Sequence, residues 1–309
     1  MPARNTLEGL KAPPDGTGQE QAAVGARSEA RRVLADAGLR PRRRFGQHFL
    51  CDRAVVERIV RTAALGQGTT VLEIGPGLGA LTEALAACAA RVHAIEIDRD
   101  LAARLRERFA AQPWVTVHEG DVLALPLGEI VPEPDAVVVA NLPYNISTPI
   151  LFRLLEQRAR FPRAVLMLQR EVALRLTARP GSRTWGVLPV LIQTWGDVQF
   201  ALAVSRHSFL PRPRVDSAVV TIAWRREPCV SLEDPLLFRA VVRAAFGQRR
   251  KTLRNALGAL AAGRGVAIEA VLDAARIDPR ARAEVLTLED FARIARAIGS
   301  AGGSAAVVA

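Results

Sequence analysis

Residues 70–80 read Thr70-Val71-Leu72-Glu73-Ile74-Gly75-Pro76-Gly77-Leu78-Gly79-Ala80. A short apolar run with Glu73 inside it, then three glycines at alternate positions, then an alanine-rich stretch over 80–89 predicts strand, tight loop and helix. That geometry brings a ligand against the backbone at a helix N-terminus. The pattern repeats outward. A strand over 91–95 ends in Glu96, followed by Ile97, Asp98 and a charged helix over 99–110. A strand over 115–117 leads to Glu119, Gly120 and Asp121, and a fourth strand covers 136–140. Beyond it the periodicity predicts a helix over 149–160, a strand over 164–168, and helices over 170–178 and 187–195. An antiparallel closing pair over 198–204 and 218–224 completes the series. These alternations predict an α/β fold, a Rossmann-like doubly wound, mostly parallel seven-stranded sheet.

The flanks divide the chain. Residues 1–27 are rich in Gly, Pro, Ala and polar side chains without apolar periodicity and read as a disordered tail. A helix over 28–37, closed by Gly38, and a helix over 52–64 precede the first strand of the sheet. The catalytic domain is expected over 28–226. The turn at Glu233, Asp234 and Pro235 introduces helices over 236–246, 252–260, 268–275 and 288–298, a small all-helical domain over 227–299. Thr287 and Asp290 have capping-box spacing before the last of these helices. Residues 300–309 read as a frayed tail.

The glycine loop leaves two nucleotide cofactors open. Gly75, Gly77 and Ala80 satisfy G-x-G-x-x-A, and Glu96 falls near the ribose-binding acid of dinucleotide enzymes. Three features favour S-adenosylmethionine. Glu73 is placed to face the amino-acid moiety of that cofactor. The G-x-G-x-G spacing leaves room for a methionine-like tail, and Asp121 is placed to accept from an adenine amino group. The fourth strand points the same way. Its apolar run, Ala136 to Ala140, breaks into Asn141-Leu142-Pro143-Tyr144, and Tyr144 is the only tyrosine in the chain. In open α/β sheets chemistry sits just past the carboxyl ends of strands. A side-chain amide oxygen and a carbonyl before proline both accept hydrogen bonds from an –NH2 group, and an aromatic ring stacks on a flat base. Together they make a clamp for an exocyclic amine such as N6 of adenine.

Composition narrows the partner. The 309 residues carry a net charge of +11 and are half apolar, which suits a globular protein with a polyanionic partner. Lys11 and Lys251 are the only lysines, so arginine carries the charge. Two cationic clusters, Arg42-Arg43-Arg44 and Arg249-Arg250-Lys251, read as RNA phosphate contacts. Cys51, Cys88 and Cys229 show no metal or disulfide spacing, and no run is long enough for a membrane span. These features predict a reducing cytoplasm, no metal and a monomer.

Eight motifs in order resemble the ribosomal RNA adenine N6-dimethyltransferases, over roughly residues 28–298. They are Phe45-Gly46-Gln47-His48-Phe49-Leu50, Leu72 to Gly79, Glu96-Ile97-Asp98, Gly120 to Leu123 and Asn141 to Asn145. Gln169 to Val172, Phe209 to Ser217 and Phe246 to Leu253 complete the set. His48 departs from the pattern, standing where the family often has asparagine. The resemblance implies that His48 and Leu50 touch S-adenosylmethionine and that Gly75 approaches it through backbone. It further implies that Glu96 holds the ribose, Asp121 the adenine, and Asn141 the region beside the sulfonium. Phe209 is implied to stack on the target base opposite Tyr144. The reaction implied is dimethylation of two adjacent adenines near the 3' end of 16S rRNA in the small subunit, with a role in subunit biogenesis. A 23S rRNA adenine methyltransferase of the macrolide-resistance type, or a non-catalytic assembly or transcription factor on the same scaffold, is the alternative.

Overall fold

The computed structural model describes Ser28 and residues 30–32, 34–36, 38, 40–248 and 250–305. The tail expected over 1–27 lies outside the described residues. The sheet consists of β2 (Thr70–Ile74), β3 (Arg91–Glu96), β4 (Val115–Glu119), β5 (Val137–Asn141), β6 (Arg163–Gln169), β7 (Gly196–Val204) and β9 (Ser217–Trp224). Their order is β4-β3-β2-β5-β6-β9-β7, parallel as far as β6 and antiparallel in the β6–β9 and β9–β7 pairs.

Strand periodicity explains the layers. Along β2 and β5, Leu72, Val138 and Ala140 face one apolar cluster while Val71, Val137 and Val139 face another. The first cluster is closed by α5 (Ser147–Glu156) through Ile150, Leu151 and Leu154, and by α6 (Arg170–Leu176) through Val172 and Ala173. The second is closed by α1 (Arg53–Ala63) through Val55, Val56 and Ile59, and by α2 (Ala80–Ala86) through Leu81 and Leu85. Both sheet faces are covered, which is why the central strands read as unbroken apolar runs. Helix α1 starts where Asp52 accepts from the Ala54 and Val55 amides, at 3.1 and 3.3 Å. Helix α3 (Arg99–Arg108) and the single turn α4 (Leu127–Ile130) complete the parallel half.

From β2 the chain steps outward through β3 and β4, then returns to β5 on the other side of β2. The carboxyl ends of β2 and β5 therefore flank the topological switch point, where open α/β sheets bind ligands. A separate two-stranded ribbon lies across this edge. In it β1 (Phe49–Leu50) pairs antiparallel with β8 (Phe209–Leu210), Phe49 opposite Leu210 and Leu50 opposite Phe209. Nothing local along the chain marks this pairing, because two-residue strands carry no periodicity.

Helix α7 (Val187–Trp195) leads back to the sheet, and α8 (Pro235–Gly247), α9 (Leu253–Ala262), α10 (Ile268–Ala274) and α11 (Leu288–Ala305) follow it. The capping box forms: the Asp290 amide donates to Thr287 Oγ1 at 3.2 Å, and the Thr287 amide to Asp290 Oδ2 at 2.8 Å. Backbone and hydroxyl donors from Thr287 and the Arg293 guanidinium hold the Asp290 carboxyl below its ordinary range, against the opposing effect of burial. Two expectations need correction. The tail expected from residue 300 is helical as far as Ala305: the helix is already nucleated on Phe291, Ile294 and Ile298, and propagation from a formed helix carries it through Gly302 and Gly303 despite their low propensity. The helical region also does not close its own core at residue 227. Ala178, Trp185, Val190 and Leu191 pack into the same cluster as Phe238, Val242 and Leu257.

Trp185 is the key of that shared core, fully buried with Nε1 donating to the Leu286 carbonyl at 2.9 Å. Trp185→Ala is expected to cost about 3–5 kcal/mol in urea unfolding. Trp185→Phe, which keeps a ring but strands that carbonyl, is expected to cost about 1–3 kcal/mol. Equal stabilities for the two variants would contradict this assignment.

Candidate active site

One cleft lies at the switch point, and it gathers His48, Leu50, Glu73, Gly75, Gly77, Glu96, Asp121, Asn141, Leu142, Pro143 and Tyr144. The glycine loop forms its floor. Gly77 has φ +58°, and a Cβ there would stand 2.8 Å from the Phe49 ring, so only glycine allows the close approach of the two segments. Glu96 braces the loop: Oε2 accepts from the Gly77 amide at 3.0 Å and Oε1 from the Asp98 amide at 2.9 Å. Burial raises its pKa, and these backbone donors oppose the rise. Each carboxylate oxygen keeps further lone-pair capacity for a ligand hydroxyl. Asp121 Oδ1 accepts from the Leu123 amide at 2.9 Å, which fixes the turn after β4 with Oδ2 uncommitted among the described residues.

Glu73 is the charged anomaly. It is fully buried in β2, and its Oε2 has no hydrogen-bond partner. Burial pushes its pKa from 4.5 up to about 8; the nearby Thr82 hydroxyl lowers it and Glu96 raises it further. An orphaned carboxyl lining a cleft is the mark of a site that receives a cation or a hydrogen-bond donor.

The strand-end tetrapeptide is set by long-range contacts. Asn141 Nδ2 donates to the His48 carbonyl at 3.2 Å, so the donor end of the amide is engaged by protein. Oδ1 accepts no bond among the described residues, nor does the Leu142 carbonyl, so both acceptors remain for a substrate. Tyr144 Oη lies 2.5 Å from Ser217 Oγ, and burial raises the phenol pKa. The His48 ring stacks near the Tyr144 ring, centroids 5.4 Å apart. Gly46 is pressed on the same loop; at φ +61°, a Cβ would meet Asn145 Oδ1 at 2.6 Å.

Phe209 does not join them. It is 0% exposed, lies under the ribbon opposite Leu50, and packs with Val204 and Val219. In this conformation it offers no face to a base, because the β1–β8 pairing turns it into the core. Arg42 also departs from expectation. It pairs with Asp98 at 2.6 Å and with Asp100, while Gln47 Nε2 donates to Asp98 Oδ2 at 2.8 Å. Its guanidinium holds the segment before β1 to the loop after Glu96 and is occupied by carboxylates rather than free for phosphate.

The remaining cationic candidates are spread. Arg44 is exposed, 4.6 Å over the Phe45 ring. Arg250 and Lys251 are exposed just ahead of α9. The Arg43 side chain and the whole of Arg249 lie outside the described residues. Two features escaped sequence reasoning. Ile97 lines the cleft yet is 38% exposed, an apolar surface flanked by acids and suited to the face of a base. A groove lined by Arg170, Arg206, Arg214 and the exposed Leu174 and Val215 adjoins Ser217, the partner of Tyr144. Its arginines are dispersed in sequence, so no charge run marked it.

Comparison with known proteins agrees with this geometry. A family model described as ribosomal RNA adenine dimethylase matches residues 38–299. The chain is 48% identical over 259 residues to the ribosomal RNA small subunit methyltransferase A of Syntrophotalea carbinolica, covering 84% of this chain and 97% of that one. Its similarity to the protein of the same name in Geobacter sulfurreducens is 47% over 271 residues, covering 86% and 98%. Among solved structures, a dimethyladenosine transferase from Plasmodium falciparum superposes with a TM-score of 0.67 at 26% identity, covering 81% and 96%. The 23S rRNA methyltransferase ErmE superposes with a TM-score of 0.62 at 31% identity, covering 81% and 99%.

The buried carboxyl yields a direct test. Between its ordinary value of 4.5 and about 8, folded Glu73 holds a proton that the unfolded chain has released. Stability of the ligand-free protein should therefore fall as pH rises through that window. Glu73→Gln should remove this slope and stabilise the ligand-free protein at the alkaline end by roughly 2–4 kcal/mol. Parallel stability–pH curves for the two proteins, measured by urea unfolding, would contradict the assignment.

Proposed function

The chain belongs to the ribosomal RNA adenine dimethylase family, and from that premise we propose that its substrate is a pair of adjacent loop adenines near the 3' end of 16S rRNA in the small subunit or its precursor. It is a methyltransferase with the class I fold, dependent on S-adenosylmethionine and acting on N6 of rRNA adenine. The small-subunit reading rests on the relatives' names: the proteins 47–48% identical are named small subunit methyltransferases, whereas the 23S enzyme is 31% identical.

The cleft fits S-adenosylmethionine. Orphaned Glu73 Oε2 suits an ammonium group, and exposed Ile97 suits the face of an adenine. Glu96 retains acceptor capacity for ribose hydroxyls, Asp121 for an exocyclic amine, and His48, Leu50, Gly75 and Gly77 supply walls and floor. Bound there, the cofactor supplies a methyl group on a positively charged sulfur.

The observation that carries the catalytic reading is the engaged amide of Asn141. The N6 lone pair of adenine is delocalised into the ring and is a poor nucleophile. Asn141 Oδ1 and the Leu142 carbonyl, each accepting one N6 hydrogen, hold N6 pyramidal and turn its localised lone pair toward the methyl group. Pro143 leaves the Leu142 carbonyl free of a following N–H, and the Tyr144 ring stacks on the base. N6-methyladenine keeps one N–H, so the same groups hold it for the second transfer. Orientation supplies most of the acceleration. A loop adenine leaves its stack cheaply. Affinity for so large a substrate comes from phosphate contacts outside the cleft, at Arg44, at Arg249, Arg250 and Lys251, and at the Arg170–Arg206–Arg214 groove. The protein acts in the cytoplasm as a monomer during subunit biogenesis. Among the described residues no helix is long and apolar enough to cross a membrane.

Labelled methyl transfer to undermethylated 30S particles and to 23S rRNA, with the modified nucleosides mapped, tests the substrate. Two adjacent N6,N6-dimethyladenines in the 30S arm are expected. Modification of 23S rRNA alone would overturn the small-subunit reading. In the same assay Asn141→Ala should lose about 10²-fold or more in turnover with cofactor affinity retained. Tyr144→Phe should stay more active than Tyr144→Ala, and wild-type rates in all three variants would remove the clamp.

A further inference from the structure

His48 places an imidazole in the cleft, and its hydrogen bonds fix which ring nitrogen carries the lone pair. Nδ1 lies 2.8 Å from the Pro211 carbonyl. A carbonyl only accepts, so Nδ1 carries the hydrogen, and in the neutral ring Nε2 is left as a lone pair. Nε2 makes no hydrogen bond among the described residues. The ring lines the cleft, stacks near Tyr144, and belongs to the residue whose own carbonyl holds Asn141. We propose that His48 Nε2 is the proton acceptor for N6 during methyl transfer, a role that rests on the amine clamp proposed above.

The chemistry requires such a sink once per transfer. The N6 lone pair forms the new N–C bond, and the C–S bond breaks with its electron pair going to sulfur, which ends as a neutral thioether. N6 is then a cation carrying one proton too many. One clamp oxygen then releases its hydrogen, Nε2 takes that proton, the N–H bonding pair returns to the conjugated amine, and the imidazolium passes the proton to solvent. Two transfers release two protons. The Asn141 and Leu142 oxygens are neutral acceptors that orient these hydrogens without keeping them.

The other titratable groups around the cleft are less suited. Glu96 accepts from two backbone amides, and Asp121 from one. Glu73 lies buried in β2, where its Oε2 is given to the cofactor's ammonium group. Burial pushes the Tyr144 phenol above its ordinary range, the Ser217 hydrogen bond opposes the rise and Asp216 adds to it. A protonated His48 would add a positive charge next to the developing N6 cation, so both the missing base and the added charge slow the reaction at low pH.

Single-turnover methyl transfer to 30S particles at saturating cofactor, followed from about pH 5.5 to 8.5, tests this role. The wild type should show an acid limb within this range. His48→Asn should lose that limb and run about ten-fold slower at the alkaline end. This is less than general bases usually contribute, because water also accepts a proton from so acidic a cation. Cofactor affinity, read by calorimetry on the same variants, separates a lost base from a lost cofactor contact. Added imidazole should restore part of the rate to His48→Ala and none to Asn141→Ala. An acid limb retained in His48→Asn, or a rate loss matched by lost cofactor affinity with the pH profile unchanged, would overturn the proposal. Loss of activity in Asn141→Ala with a normal acid limb in His48→Asn would leave the clamp standing and remove only His48.

Discussion

The hydrogen bond from Asn141 Nδ2 to the His48 carbonyl decides which end of the amide faces the substrate. A free asparagine can present donor or acceptor, and only the acceptor end can draw on an amine hydrogen. In the proposed clamp, the segment that supplies the carbonyl sets the catalytic amide although it lies 93 residues away. Much of the surrounding structure holds that segment in place. The β1–β8 ribbon ties its far end, Phe49 rests against Gly77, and Arg42 with Gln47 fastens it to Asp98. Asp98 follows Glu96 by two residues, so the same loop braces the cofactor floor and the strap above it.

Charge is sorted by location. The cleft carries Glu73, Glu96 and Asp121, while the described cationic groups outside it include Arg44, Arg250, Lys251 and the Arg170–Arg206–Arg214 groove. A cationic cofactor and a polyanionic RNA are thereby drawn to different surfaces. Burying Glu73 without a partner costs stability in the ligand-free state, and a bound ammonium offsets that cost by ionising the carboxyl.

The parallel half of the sheet was legible because each strand–loop–helix unit is local: Glu73, Gly75, Gly77, Glu96, Asp121 and Asn141 each follow or end a short apolar run. Their convergence follows from one topological rule about strand ends. What the sequence hid depends on pairings distant along the chain. Arg42 looked like free charge because Asp98 is 56 residues away. Phe209 looked available because nothing local shows that Leu50 sits opposite it. Trp185 belongs to the helical core through Leu286, 101 residues on, so a boundary at 227 drawn from composition cuts through shared packing.

The most direct test is a crystal structure of the protein with S-adenosylhomocysteine and an RNA fragment presenting the unmethylated target adenine. The account predicts N6 within hydrogen-bond distance, about 3 Å, of both Asn141 Oδ1 and the Leu142 carbonyl, with Asn141 Nδ2 still on the His48 carbonyl. An amide turned to donate to a ring nitrogen of the base, or a base held away from Asn141, would contradict it.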